Sequence, residues 1–170
     1  MRAGALKYVA FNTEMGWVGI MGSAKGLVGV TLPQCSAQEV CLLLGDGVQH
    51  AVHSAEPFED LIQRFCTYFS GGGVAFPDTL DFSCATPFQR DVWLATRSII
   101  YGETRSYAWV ARQIGKPVAV RAVGQALSRN PWPIIIPCHR VLTSDGKLGG
   151  FAGGLDMKRR LLDLESASTR

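Results

Sequence analysis

NPWPIIIPCHRV, residues 130–141, is the stretch on which the reading of this chain turns. Three consecutive isoleucines, Ile134 to Ile136, look like the interior of a domain. The run ends at Pro137 and at once presents Cys138, His139 and Arg140. A buried free cysteine is ordinarily an inert small hydrophobe, and Cys41 and Cys66, on or beside apolar helical faces, fit that description. Cys138 differs because it leaves an apolar, strand-like run for a polar turn. Thiolate is the reactive form of cysteine, and nearby positive charge or an imidazole acting as base favours it. Adjacent residues of a strand point to opposite sides, so His139 would reach the thiol only through a turn or a water. Taken alone, these residues describe a cysteine nucleophile of unspecified target.

Upstream of this stretch the pattern is mainly helical. TPFQRDVWLATRSII opens with Thr86 at an N-cap, Pro87 at the first helical position and Gln89 completing a capping box. A short helix starts near Ser106 and runs through YAWVARQI, GKP breaks it, and VAVRAVGQALSRN forms another. Two helices joined by a three-residue turn have the helix-turn-helix layout used on DNA. Downstream lie a glycine-rich loop, TSDGKLGGFAGG, a closing helix, LDMKRRLLDLE, and a loose tail, SASTR.

The second helix of the pair carries small groups: Ala119, Ala122, Gly124 and Ala126, with Val120 among them. Arg121 is its one long cation near the start, and Gln125 its one amide. Reading bases in the major groove needs side chains that grip base edges. Small groups around one arginine suit sequence-independent contact with one inserted side chain. The plain alternative is that the alanines pack on a neighbouring helix.

The first half has a different character. KYVAFN, WVGIMG and GLVGVTLP are short strand-like pieces separated by turns, an antiparallel meander. SAQEVCLLL is a helix with Ser36 and Glu39 at capping-box spacing and Ala37, Val40, Cys41 and Leu44 on one face. A second helix starts at Pro57 and repeats Phe58, Leu61, Ile62, Phe65, Tyr68 and Phe69 at helical spacing. It stops at SGGG, and VAFPDTLDFS beyond it is extended. The expected organisation is therefore α+β: a small α/β domain over residues 1–82 and a mainly helical domain over 83–170.

With 170 residues and 47% hydrophobic content, the chain is long enough to bury a real core. No run approaches a membrane span, and MRAGALKYVAFNTE breaks its apolar run too early for a signal peptide. The expectation is a cytoplasmic protein with no membrane partner. Five scattered cysteines fit free thiols in a reducing compartment. Cys35, Cys41, His50 and His53 lack the close pairs of structural zinc sites, so no metal is assigned. The net charge of +3 hides an asymmetry. Residues 1–85 carry four Lys/Arg against eight Asp/Glu, and residues 86–170 carry thirteen against six. Positive charge confined to one half points to a polyanion, or else to a solvated basic surface.

These motifs carry a resemblance. ARQIGKPVAVRAVGQALSRN, then NPWPIIIPCHRV, then DGKLGGFAGGLDMKRRLLDLE, continuous from about residue 86 to 165, resemble the O6-alkylguanine-DNA alkyltransferases. The first half resembles that family's ribonuclease-H-like N-terminal domain in layout more than in sequence. The second half corresponds to its winged helix-turn-helix-type domain. The resemblance implies direct-reversal repair of double-stranded DNA. An alkyl group would move from O6-alkylguanine, and from O4-alkylthymine, to Cys138 in a single irreversible turnover. It implies no cofactor and a monomer, with cooperation between copies along DNA left open.

The resemblance also implies roles for matching positions. His139 would take the thiol proton through a water, with Glu165 bonded to the imidazole, the nucleophile–base–orienter logic of hydrolytic triads. Asn130 would fix the turn leading to the cysteine. Tyr107 would donate its hydroxyl toward guanine N3, and the carbonyls of Cys138 and Val141 would receive the guanine amino group. The nucleotide must leave the stack for O6 to be reached, and Arg121 would fill the gap from the minor groove. Ala119, Val120, Ala122, Gly124, Gln125 and Arg129 would accompany it on DNA. Pro133, Val141, Gly149, Phe151 and Ala152 would line the base pocket.

Some positions depart from the family pattern. Trp109 stands where glutamate would complete a capping box on Ser106, and Val120 where alanine is common. Phe151 replaces a tyrosine, and Gly149 a larger residue, which implies room for benzyl-sized groups. Two competitors remain at this level: a cysteine hydrolase using Cys138 and His139, and a DNA-binding regulator without chemistry.

Overall fold

The structure is a computed structural model that describes residues 4–169. Met1 to Ala3 and Arg170, parts of the leader and tail readings, lie outside the described residues. The chain forms two compact units, Met1–Ser83 and Cys84–Arg170.

In the first unit, β1 (Lys7–Thr13), β2 (Gly16–Ser23) and β3 (Gly26–Val30) form the expected antiparallel meander. Helix α1 (Ala37–Leu44) follows, then β4 (Val52–His53), which pairs in parallel with β1 and gives the order β3-β2-β1-β4. A two-residue strand has no periodicity to read, so β4 left no signal. Helix α1 lies very close on the sheet: a Cβ at Gly19 would collide with Val40 Cγ1, so only glycine fits there. Ser36 Oγ caps α1 by accepting from Glu39 N. Glu39 returns its carboxylate to Cys35 N, one residue earlier than a capping box requires.

Helix α2 (Glu59–Phe69) begins two residues later than the sequence suggests, because a 3-10 turn, Glu56–Phe58, precedes it. Its apolar face is the stripe read from sequence, with Phe65 and Tyr68 fully buried and Phe65 packed against Phe76 at 4.9 Å. The segment beyond has no regular structure until a 3-10 turn at Phe82–Cys84, where the sequence suggested extended chain, and it joins the sheet through a bridge between Leu27 and Leu80 and through Ser23 Oγ, which donates to Asp81 Oδ2 at 2.7 Å.

The second unit starts with α3 (Pro87–Arg97), whose full capping box joins Thr86 and Gln89. Next come β5 (Arg105–Ser106), α4 (Tyr107–Gln113) and α5 (Val120–Ser128). Ser106 Oγ caps α4 by accepting from Trp109 N at 3.0 Å, without the reciprocal bond a glutamate would give. The turn between α4 and α5 spans residues 114–119, longer than three. Trp93 on α3 donates to Ala126 O at 2.9 Å and meets Trp132 edge-on at 5.5 Å, which ties α5 and the following turn to α3.

The isoleucine run is not a strand. It is a tight turn closed by a bridge between Pro133 and Ile136, and Ile134 adopts φ 74°. A β-branched residue in the left-handed region is strained; burial of Ile134 to 2% exposure and the bonds of Asn130 hold it there. Cys138–Arg140 then form one 3-10 turn, followed by β6 (Val141–Leu142), which pairs in parallel with β5. That pairing sets the start of α4 beside the cysteine turn. Helix α6 (Leu155–Ser168) closes the unit and extends through three residues read as tail. Among the described residues no helix is long and apolar enough to cross a membrane.

Candidate active site

Cys138 is 8% exposed, yet its side chain lies on the wall of a cavity of about 440 Å3. That volume suits a small organic group. Tyr107, Val120, Arg121, Gly124 and Gln125 form one side of the cavity, and Gly149, Gly150, Phe151 and Ala152 another. A cavity of about 570 Å3 lies in the first unit, but the charged groups Arg64, Asp60 and Asp78 on its wall satisfy one another. The smaller cavity holds the nucleophile and is the candidate site.

Asn130 organises the approach to the thiol. Its Oδ1 accepts from Trp132 N at 2.9 Å, and its Nδ2 donates to Ile136 O at 2.9 Å and to Cys138 Sγ at 3.3 Å. One amide thereby fixes both the strained turn and the sulfur. Burial pushes the Cys138 thiol above its ordinary range, while the Asn130 bond and the charge of Lys158 pull the other way. The sulfur therefore rests as a thiol, and attack needs a base.

His139 is fully buried and its Nε2 stands 2.6 Å from Glu165 Oε1. Burial lowers its pKa, and Arg140 and Lys158 add to that against the pull of Glu165. A neutral imidazole is the state that accepts a proton. Although burial works against ionisation, the bonds and charges of His139 and Arg140 hold the Glu165 carboxyl at about 2. Arg140 does not face the thiol, contrary to its place in the sequence; it turns to Glu165 and to Ile99 O.

The cation that does act on Cys138 comes from α6. Lys158 is fully buried, and its Nζ donates to the carbonyls of Val141 at 2.7 Å, of Leu148, and of Gly150 at 3.2 Å. It also lies over the rings of Tyr107 and Phe151 at 5.7 and 5.8 Å. Burial lowers its pKa to about 8, with the Cys138 charge opposing. Tyr107 donates to Gly150 O at 3.3 Å, and burial followed by the Cys138 charge raises its pKa.

Gly149 adopts φ 70°, and a Cβ there would meet Tyr107 Cε2 at 3.0 Å. Glycine is favoured there both by the left-handed backbone and by the close approach of the tyrosine ring. On α5, Ala126 is buried as the packing alternative requires, whereas Val120, Arg121 and Gln125 are exposed on the cavity side. Ala119 caps the helix start, Ala122 is half-buried, and Arg129 ends the helix away from the cavity wall.

Two expected pocket residues fall elsewhere. Val141 is fully buried, its carbonyl taken by Lys158, and Pro133 belongs to the isoleucine turn. Thr143, Gly150, Leu127 and Ser128 line the cavity without having been read from the sequence. Lys158 left one legible trace: with Leu161 and Glu165 it occupies the buried stripe of α6, where an ordinary helix carries only apolar residues.

The family model of the 6-O-methylguanine DNA methyltransferase DNA-binding domain matches residues 87–167. A methylated-DNA–protein-cysteine methyltransferase of Methanosarcina barkeri is 51% identical over 116 residues, 66% of this chain and 71% of that protein. The chain belongs to the methylated-DNA–protein-cysteine methyltransferase family. A relative of the same name from Mycobacterium leprae is 50% identical over 108 residues, 64% of this chain; that match spans 65% of the M. leprae protein. Among solved structures, Mycobacterium tuberculosis OGT in complex with DNA is 37% identical, with a TM-score of 0.80 over 95% of this chain and 94% of that one. The O6-methylguanine-DNA methyltransferase of Pyrococcus kodakaraensis is 27% identical, with a TM-score of 0.67 over 94% and 98%. Both units of the chain thus have counterparts in the family's mixed α+β architecture.

Proposed function

We propose that this protein repairs duplex DNA by moving an alkyl group from O6 of guanine, and from O4 of thymine, to Cys138, once per molecule. The observation that carries the reading is the placing of Cys138. Its sulfur lies on a cavity whose rim bears exposed Arg121, and a buried His139–Glu165 pair stands behind it. A purely structural cysteine has no use for an ionised carboxylate, an imidazole and a cavity together. In this reading the first unit is the ribonuclease-H-like domain and α4–α5 are the helix-turn-helix of a winged domain.

Helix α5 enters the minor groove, where its small side chains permit close approach and Val120 adds apolar contact. Val120, Arg121, Gly124 and Gln125 face the cavity, and Ala119, Ala122 and Arg129 touch the flanking backbone. The alkylated nucleotide leaves the stack, at a cost least for a poorly paired base, and Arg121 takes its place. The base enters between Tyr107, Gly149, Phe151 and Ala152. His139 receives the Cys138 proton through a water while Glu165 stabilises the imidazolium. The sulfur then forms its bond to the alkyl carbon as the carbon–O6 bond breaks toward guanine. Tyr107 leaves Gly150 O and donates to N3, offsetting charge on the departing base. The carbonyl of Cys138, and that of Val141 beside its bond to Lys158, receive the guanine amino group. A thioether has no easy leaving group, so each molecule is consumed by one transfer; in this reading it acts in the cytoplasm as a monomer.

The test is to incubate the protein with duplex DNA carrying O6-methylguanine and weigh it intact. One methyl on Cys138, absent in Cys138→Ser, is the expected result. Unchanged mass with repeated ester turnover would assign a hydrolase, and unchanged mass with tight DNA binding a regulator.

A further inference from the structure

Arg140 follows the His139 base directly, yet its whole side chain serves Glu165 and the carbonyl of Ile99. Nε donates to Glu165 Oε2 at 2.9 Å, Nη2 to Oε1 at 3.0 Å, and Nη1 to Ile99 O at 2.6 Å. The guanidinium also lies over the Tyr101 ring at 5.6 Å. Both oxygens of Glu165 are occupied: Oε1 by His139 Nε2 and Arg140 Nη2, Oε2 by Arg140 Nε and by Gly102 N at 3.2 Å. A planar two-point fork fixes the rotation of a carboxylate as a single donor does not. The orientation that presents Oε1 to His139 is thus set from the far side of the carboxylate.

The same contact bears on the charge of His139. A buried carboxylate with an imidazole as its sole charge partner draws a proton onto that imidazole, and an imidazolium has no lone pair for the thiol's proton. Here the carboxylate charge is already balanced by a guanidinium. The ionisable groups around His139 are Glu165 and Lys158 on α6, and Cys138 and Arg140 on its own turn. With Cys138 as a thiol, these are one anion and two cations, and a further buried positive charge would lack compensation.

We propose that Arg140 is a positioning residue for alkyl transfer: it clamps Glu165 in the orientation that holds His139 and neutralises its charge, so that His139 meets the thiol as a neutral base. This rests on the alkyl-transfer reading above. The lowered pKa of His139, due first to burial and then to Arg140 and Lys158, agrees with it.

The experiment follows single-turnover methyl transfer from duplex DNA against pH in wild type, Arg140→Met and Arg140→Lys. The methionine variant removes a cation beside Glu165, so the imidazolium persists to higher pH. Its acid limb should move up by about one pH unit or more, the usual size of one neighbouring charge. The lysine variant restores charge without the fork, so its acid limb should stay near wild type while the plateau rate falls several-fold. An unmoved acid limb in Arg140→Met would overturn the proposal. Independently of variant folding, ring nitrogen NMR of wild-type His139 should report a neutral imidazole protonated on Nε2 at pH 7; an imidazolium would also overturn it. Wild type that takes up no methyl on Cys138 would instead strike the underlying reading.

Discussion

Glu165→Gln is the most informative single change, because one carboxylate holds both the base and its clamp. Each oxygen of Glu165 accepts from two donors, and an amide keeps only one such oxygen. Whichever way the substituted amide turns, its NH2 faces donors, and Arg140 is left as a buried cation without its anion. Breaking one side of a buried pair costs about 3–5 kcal/mol. Proton linkage gives a second route to the magnitude. The Glu165 carboxyl falls from 4.5 to about 2 on folding, a drop of roughly 2.5 in pKa, and at about 1.36 kcal/mol per pKa unit this is about 3 kcal/mol. The folded pKa lies below the unfolded one, so this stability is fully present above pH 4.5 and is lost as pH falls through about 2. The assay is thermal and urea unfolding of wild type and Glu165→Gln from pH 7 down to pH 2. At neutral pH the variant should be less stable by about 3 kcal/mol, a fall in Tm of roughly 6–12 °C for a chain this size. The deficit should shrink by more than half near pH 3. A deficit under about 1 kcal/mol at pH 7, or one unchanged between pH 7 and pH 3, would refute the charge-based account.

Arg121→Ala should slow repair of duplex DNA far more than reaction with a free alkylated base, because its exposed side chain is the one proposed to fill the gap of an extruded nucleotide; equal loss on both substrates would count against that role. His139→Ala should instead slow both alike, by roughly 10²–10⁴-fold as expected for loss of a general base, read by single-turnover kinetics. Wild type should transfer benzyl as well as methyl groups, and Gly149→Ala should lose benzyl transfer first, because its Cβ would press on Tyr107 Cε2 at 3.0 Å; undetectable benzyl transfer by wild type removes the argument. The Lys158 charge favours the thiolate and is lost as pH rises through about 8. Wild-type transfer should therefore decline on that alkaline side, whereas Lys158→Met should be slower by about tenfold and lack that limb, with stopped-flow rates across pH 6 to 10 as the check.

The parts legible in the sequence are those whose physics is local. The capping box of Thr86 and Gln89 needs three residues and a proline, and α3 starts where they place it. The stripe of α2 follows from helical spacing, and the hairpins of β1 to β3 from strand pattern and glycine turns. The failures share the opposite property. The isoleucine run has the composition of a strand, but the Asn130 bonds and burial of Ile134 overrule local preference and make it a turn. Strand β4 exists only because β1 offers an edge. Arg140 reads as a cation beside the thiol until α6 supplies a carboxylate on its other side.

Helix α6 shows how far such non-local chemistry still marks a sequence. Its buried positions are Lys158, Leu161 and Glu165, spaced as any packing stripe would be. A helix that only closed a core would place leucines at both ends of that stripe, since each unpaired buried charge is costly. The two ionisable ends are seven residues apart, about 10 Å along the axis. That separation lets Lys158 reach the carbonyls of Val141 and Gly150 while Glu165 reaches His139 and Arg140. One helix thus brings a cation to the sulfur side of the cysteine turn and an anion to the imidazole side. In the proposed proton transfer, the negative charge on Cys138 and the positive charge on His139 would each form beside a fixed group of opposite sign. The two charged residues in an apolar stripe are the sequence's record of that division.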